Sequence, residues 1–68
     1  MEIFGERLKE LRTARGMTQK QLAAALNVSG NTVCSWERDK QEPSMSMLLT
    51  ISDLFEVPLD YLFGRDSY

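Results

Sequence analysis

The stretch TQKQLAAALNVSGNTVCSWE, Thr18 to Glu37, contains two helix starts and one abrupt helix stop, and so demands a tight corner between two short helices. Thr18 suits an N-cap because its hydroxyl can accept a bond from an orphaned first-turn amide, and Gln21 three positions on completes a capping box. Met17 before the cap and Leu22 at the fourth helical position form a hydrophobic staple. Leu22, Ala23 and Leu26 then share one face, at the spacing of a half-buried helix. Asn27 tolerates the left-handed backbone that ends a helix sharply. Val28 and Val33 repeat the staple around a second cap, Ser29. Ala23 and Ala24 keep the first of these helices slim, so that the second can cross close to it.

Three more helices are predicted around the corner, making the chain all-α. The first spans about Ile3 to Ala14, with Phe4, Leu8 and Leu11 in helical register and Gly16 as its stop. After the corner, the polar loop from Arg38 to Pro43 leads to Ser44, which caps a helix reaching about Phe55 with Leu48, Ile51, Leu54 and Phe55 as its apolar stripe. Val57 and Pro58 break it, and Leu59, Leu62 and Phe63 mark a short fifth helix ended by Gly64. Sixty-eight residues make a single domain, 1–68, with the corner at about 18–37 and residues 64–68 expected to fray. A chain of this size buries only roughly 60% of its unfolded surface, so its core is small. Two charges fall on core-facing positions: Arg12, four residues after Leu8, and Glu37, four after Val33 and beside Trp36. Together they predict a partly buried ion pair that sets the angle of the third helix.

Composition removes several classes of function. No apolar run approaches the roughly 20 residues of a membrane span, and the acidic, amphipathic N-terminus is unlike a secretory signal. One cysteine and no histidine exclude an intrachain disulfide and an ordinary zinc site. Cys34 lacks the histidine base of a thiol nucleophile, and reads instead as a small, partly buried side chain. Asp53 and Glu56, three apart on an outer face, read as solvated surface rather than an acid–base pair. Neither enzyme activity, nor a metal, cofactor or small-molecule ligand is expected; the task is binding, in the cytoplasm. The net charge of −2 is unevenly spread. Residues 7–40 hold seven basic and three acidic side chains, a local +4, while residues 1–6 carry −2 and residues 41–68 carry −4. Local sign governs phosphate contact more than the total does.

On the third helix Val33, Trp36 and Glu37 point inward, with Trp36 a core residue rather than a stacking platform. Gly30, Asn31, Thr32, Cys34, Ser35 and Arg38 are left on the outer surface. Small polar side chains on a helix after a tight corner suit the major groove of DNA. Asn31 can bond bidentately to adenine N6 and N7. Thr32 offers a hydroxyl and a methyl, Ser35 lies one turn on, and Gly30 permits close backbone approach. Gln19, in the first turn of the second helix, sits where helix amides favour an anion. Ser29 and Ser44 offer similar amide-rich turns, and Lys20, Arg38 and Lys40 add positive charge around them.

The chain resembles the Cro and phage-repressor type of helix-turn-helix regulator, the xenobiotic-response-element-like family. The matching residues are Phe4 to Arg12, Arg15 to Gln19, Leu22-Ala23, Leu26 to Ser29, Thr32-Val33, Trp36 to Arg38, Pro43-Ser44 and Leu48-Leu49. The resemblance covers nearly all of residues 3–63. It implies a compact five-helix, lambda-repressor-like domain, with helices 2 and 3 as the helix-turn-helix, that binds double-stranded operator DNA, commonly as a dimer. It also implies base-reading roles for Gly30, Asn31 and Ser35, a phosphate-clamping Gln19, and an Arg12–Glu37 pair. The base-reading positions often hold longer side chains in the family, so DNA shape is expected to supply part of the discrimination here. Asp39 stands where the family commonly has glycine, and its charge is expected near the phosphates. Tyr61, Leu62, Phe63 and Tyr68 are either an exposed patch that makes a homodimer or, for Leu62 and Phe63, the completion of the monomer core. The rival function is a protein-interaction module, antitoxin-like or anti-repressor, favoured by the acidic C-terminal half.

Overall fold

Residues 2–65 are described by a computed structural model, as five helices: α1 (Glu2–Ala14), α2 (Gln19–Leu26), α3 (Gly30–Glu37), α4 (Met45–Phe55) and α5 (Leu59–Leu62). Each boundary has a local cause. α1 stops where Gly16 takes a φ of +66°, which lets the amides of Gly16 and Met17 reach back to the carbonyls of Thr13 and Arg12 at 2.9 and 3.1 Å. A side chain would oppose that left-handed turn.

The corner is closed by the residues expected to close it. The Thr18 hydroxyl accepts from the Gln21 amide at 3.0 Å, and Gln21 Oε1 accepts from the Thr18 amide at 2.8 Å. Asn27 is left-handed, at φ 60° and ψ 43°, and Val28 donates back to the Ala23 carbonyl at 2.9 Å. Ser29 then caps α3 and Ser44 caps α4, their hydroxyls accepting from the amides of Thr32 and Met47, each at 3.2 Å. α4 ends differently. Glu56, not a glycine, turns left-handed at φ 55°, and Pro58 starts α5 with no side-chain cap bond.

α2 packs chiefly on α3, α1 bridges α3 and α5, and α4 leans on α5. The core they enclose centres on Phe4, Leu8, Leu22, Val33, Trp36 and Ile51, with Leu48 and Phe55 from α4. Leu54, expected on the apolar stripe of α4, is only half-buried. Leu62 settles one alternative left by the sequence: it is 0% exposed and belongs to the monomer core. It is therefore not part of any exposed dimerisation patch, while Tyr61 and Phe63 are half-buried. Of the tail expected to fray, Gly64 and Arg65 donate backbone bonds to Tyr61 and Asp60 at 3.1 and 2.8 Å. Residues 66–68, Tyr68 among them, lie outside the described residues.

Long-range contacts at Gly5 and Arg7 help to fix how α1 meets the rest. At Gly5 the helix touches the end of α3 backbone to backbone: an added Cβ would lie 2.6 and 2.7 Å from the carbonyl oxygens of Glu37 and Trp36. Gly5 is costly within a helix, and this crossing is what requires it. At the other side, the Arg7 guanidinium lies 4.2 Å from the centroid of the Tyr61 ring and donates to the Tyr61 carbonyl at 3.3 Å. Arg15 likewise sits over the Phe55 ring, at 5.1 Å.

Candidate nucleic-acid interface

α3 presents two faces. Val33 and Trp36 are buried, and the Glu37 side chain is only 3% exposed. On the opposite side Asn31 and Arg38 are exposed, with Gly30, Thr32, Cys34 and Ser35 half-exposed. The division follows from helix spacing: positions 33, 36 and 37 share a stripe, and the small polar residues occupy the rest of the circumference.

The N-terminal ends of α2 and α3 meet at an open cleft of about 400 Å³ lined by Gln19, Lys20, Ser29, Gly30, Asn31 and Cys34. Thus five of the expected contact residues, Gln19, Lys20, Ser29, Gly30 and Asn31, line one surface. A Cβ on Gly30 would meet nothing within 4 Å, so the floor of the cleft there is bare backbone open to an approaching molecule. The first turns of two helices line this one region, and each helix start carries a partial positive charge.

The other expected contact residues lie elsewhere or are engaged. Thr32 and Ser35 are on α3 but do not line the cleft. The Thr32 hydroxyl shares a hydrogen bond of 2.9 Å with Ser29 Oγ, which also accepts from the Thr32 amide, so both hydroxyls belong to the cap. Arg38 and Lys40 follow the far end of α3, about 12 Å along the axis at 1.5 Å per residue, and are exposed. Ser44 caps α4, its hydroxyl also sharing a 3.1 Å bond with Ser46. None of these three lines the cleft.

The positive charge of residues 7–40 is less available than its sum suggests. Arg7 is half-buried over an aromatic ring of α5 and Arg12 is buried, while Lys9 is exposed and so is Arg15, although it sits over a ring of α4. Lys20, Arg38 and Lys40 remain exposed on the corner and its flank. Asp39 takes a left-handed φ of 56°, as expected at this turn, and its Oδ1 accepts from the Gly5 amide at 3.3 Å. Its charge is directed at the first turn of α1, where the helix start favours it.

Beneath the cleft lies the Arg12–Glu37 pair. Arg12 Nε donates to Glu37 Oε2 at 2.6 Å and Nη2 donates to Oε1 at 3.0 Å, a bidentate fork with both side chains nearly buried. Nη1 donates to the Met17 carbonyl at 2.8 Å. Hydrogen bonding to Glu37 holds the Arg12 guanidinium above its ordinary pKa; burial opposes this and the charge of Glu37 adds to it. A base whose folded value is raised keeps its stabilising charge below its unfolded value and loses it only as pH climbs through the folded one, so Arg12 stays ionised across the physiological range. Sequence reasoning missed a third member: Gln19 Nε2 donates to Glu37 Oε1 at 3.0 Å.

A family model described as Helix-turn-helix matches residues 8–62. The chain belongs to the helix-turn-helix family. This helix-turn-helix chain is 45% identical over 64 residues to the HTH-type transcriptional regulator ImmR of Bacillus subtilis (strain 168), covering 94% of the chain and 50% of that protein. It is 32% identical over 63 residues to the immunity repressor protein of Bacillus phage phi105, covering 93% of the chain and 44% of that protein. It therefore spans about half the length of these curated relatives. Among solved structures it superposes on the P22 c2 repressor protein in complex with a synthetic operator, with a TM-score of 0.86, 31% identity, and coverage of 94% of this chain and 97% of that one. The helix-turn-helix assigned to the second and third helices is thus α2 and α3, in an all-α fold shared with that repressor.

Proposed function

We propose that this chain is the sequence-specific, double-stranded DNA-binding unit of a transcriptional repressor, acting in the cytoplasm, with α3 laid in the major groove. The observation that carries the reading is the cleft where exposed Asn31 stands beside the bare backbone of Gly30, lined also by Gln19 and Lys20. Its likeness to an operator-bound repressor supports the same placement. Asn31 reads adenine, and Gly30 admits the duplex closely. Thr32 offers its methyl group and Ser35 its hydroxyl to neighbouring base edges. Gln19, Lys20 and the amide-rich turn at Ser29 hold one stretch of phosphates, while Arg38, Lys40 and the turn at Ser44 hold another beyond the far end of α3.

The working form is a homodimer, joined near Tyr61 and Phe63, with its two recognition helices about 34 Å apart on one DNA face. No metal, cofactor or small molecule enters the scheme. Selection of operators from random duplexes at several salt concentrations tests it. An enriched palindrome is expected, with an affinity that falls by roughly 0.9 in logarithmic slope for each phosphate neutralised. Enrichment of no sequence, with only weak salt-dependent retention, overturns it in favour of a protein-interaction module.

A further inference from the structure

Glu37 ties three segments together through one carboxylate. Both of its oxygens are held by the Arg12 guanidinium, and Oε1 also accepts from Gln19 Nε2 at 3.0 Å. Arg12 is in turn anchored to the Met17 carbonyl, two residues before Gln19. An ionised carboxylate accepts hydrogen bonds and donates none. Only the NH2 side of the Gln19 carboxamide can therefore face Glu37, and the Gln19 carbonyl oxygen is turned away from it. One N–H of that amide is occupied. The second N–H and the carbonyl oxygen are what Gln19 has left to offer the cleft it lines with Lys20, Gly30 and Asn31.

We infer that Glu37 is a positioning residue for DNA recognition: it sets which way round the Gln19 carboxamide sits, so that a ready-oriented donor meets the duplex. The inference rests on the DNA-binding reading above. A glutamine free in solvent gives up rotamer freedom when it binds, and its amide can sit either way round. Here both choices are made in advance by a buried anion that never touches the duplex. The ion pair of the core and the contact surface are thus one hydrogen-bonded unit.

The test combines spectroscopy of the unaltered chain with a double-mutant cycle. In proton–nitrogen correlation spectra, the two side-chain amide protons of Gln19 should be widely separated, the one facing Glu37 shifted downfield and slow to exchange. Collapsed positions typical of a free glutamine overturn the inference, even if Glu37→Gln fails to fold. Gln19→Met should weaken binding to the selected operator by about fivefold or more, and the same change made in Glu37→Gln should cost far less, as for coupled neighbours. Losses that simply multiply also overturn it. If Gln19→Met has no effect while Asn31→Ala does, the positioning role falls and the DNA reading stands. If no duplex is retained by any variant or by the parent, the DNA reading falls, and the role of Glu37 in recognition with it.

Discussion

Across the α2–α3 corner each helix start is closed by a side chain only three residues from the amide it satisfies, whereas α5 starts without a side-chain cap and is tied to the domain by a residue far along the chain. Thr18 and Ser29 cap their own helices, and Asn27 turns the chain between them. α5, by contrast, has four residues, no side-chain cap bond, and a preceding turn made by left-handed Glu56. Its Tyr61 is held by Arg7, 54 positions earlier. The difference teaches that the proposed contact surface is a locally encoded unit, while its angle to the body of the domain is set by a few distant pairs. Arg12–Glu37 and Gly5 against the end of α3 are the most demanding of these.

Breaking the distant pairs should have the largest consequences. Glu37→Ala leaves Arg12 buried without its counterion and should cost about 3–5 kcal/mol. Against a total of about 3–10 kcal/mol for a chain of this size, the melting temperature by circular dichroism should fall sharply. An unchanged melt would mean that the pair is not buried. Gly5→Ala should follow at about 1–3 kcal/mol, because the obstructing atoms are backbone carbonyl oxygens that cannot rotate aside. Denaturant titration measures it, and a neutral result would show that the crossing of α1 and α3 is looser than 2.6 Å implies.

Asn31→Ala sharpens the comparison from the other side. It touches only the exposed face of the corner, so stability should stay within about 0.5 kcal/mol, while discrimination at one base pair drops by about 1–3 kcal/mol in competition binding. Loss of stability instead would place Asn31 in the scaffold. The smallest effect is expected at the α5 end. Left-handed backbone costs an L-residue roughly 1–2 kcal/mol, partly offset by the greater unfolded-state entropy of glycine, so Glu56→Gly should stabilise by about 0.5–1 kcal/mol. A fall in the melting temperature would show that the Glu56 side chain contributes something its turn geometry conceals.

Much of this architecture was legible beforehand because its signals are short-ranged. A cap and the amide it serves are three residues apart, so Thr18, Ser29 and Ser44 could be assigned from spacing alone. The inward stripe of Val33, Trp36 and Glu37 follows from helical periodicity, and with it the outward position of Asn31. Arg12 and Glu37 could be paired because opposite charges on core-facing positions need partners. Other features gave weaker signals. Gly5, unfavourable in a helix interior, hinted at a close approach but not at what approached. The place of Gln19 at a helix start is plain from its neighbours, but nothing in them indicates a bond to Glu37, 18 positions away.

The sequence by itself determined where helices begin and end, which stripe of each is apolar, and which small polar groups crown α3, since all of these depend on interactions within one or two turns. Only the tertiary structure decided the fate of the charges and of Leu62. Arg7 and Arg15 were drawn onto aromatic rings, Asp39 onto the start of α1, and Leu62 into the core. The physical reason is that local bonding fixes a helix but not its angle to another. A long side chain can reach several partners from one position, and the packed crossing of helices selects among them.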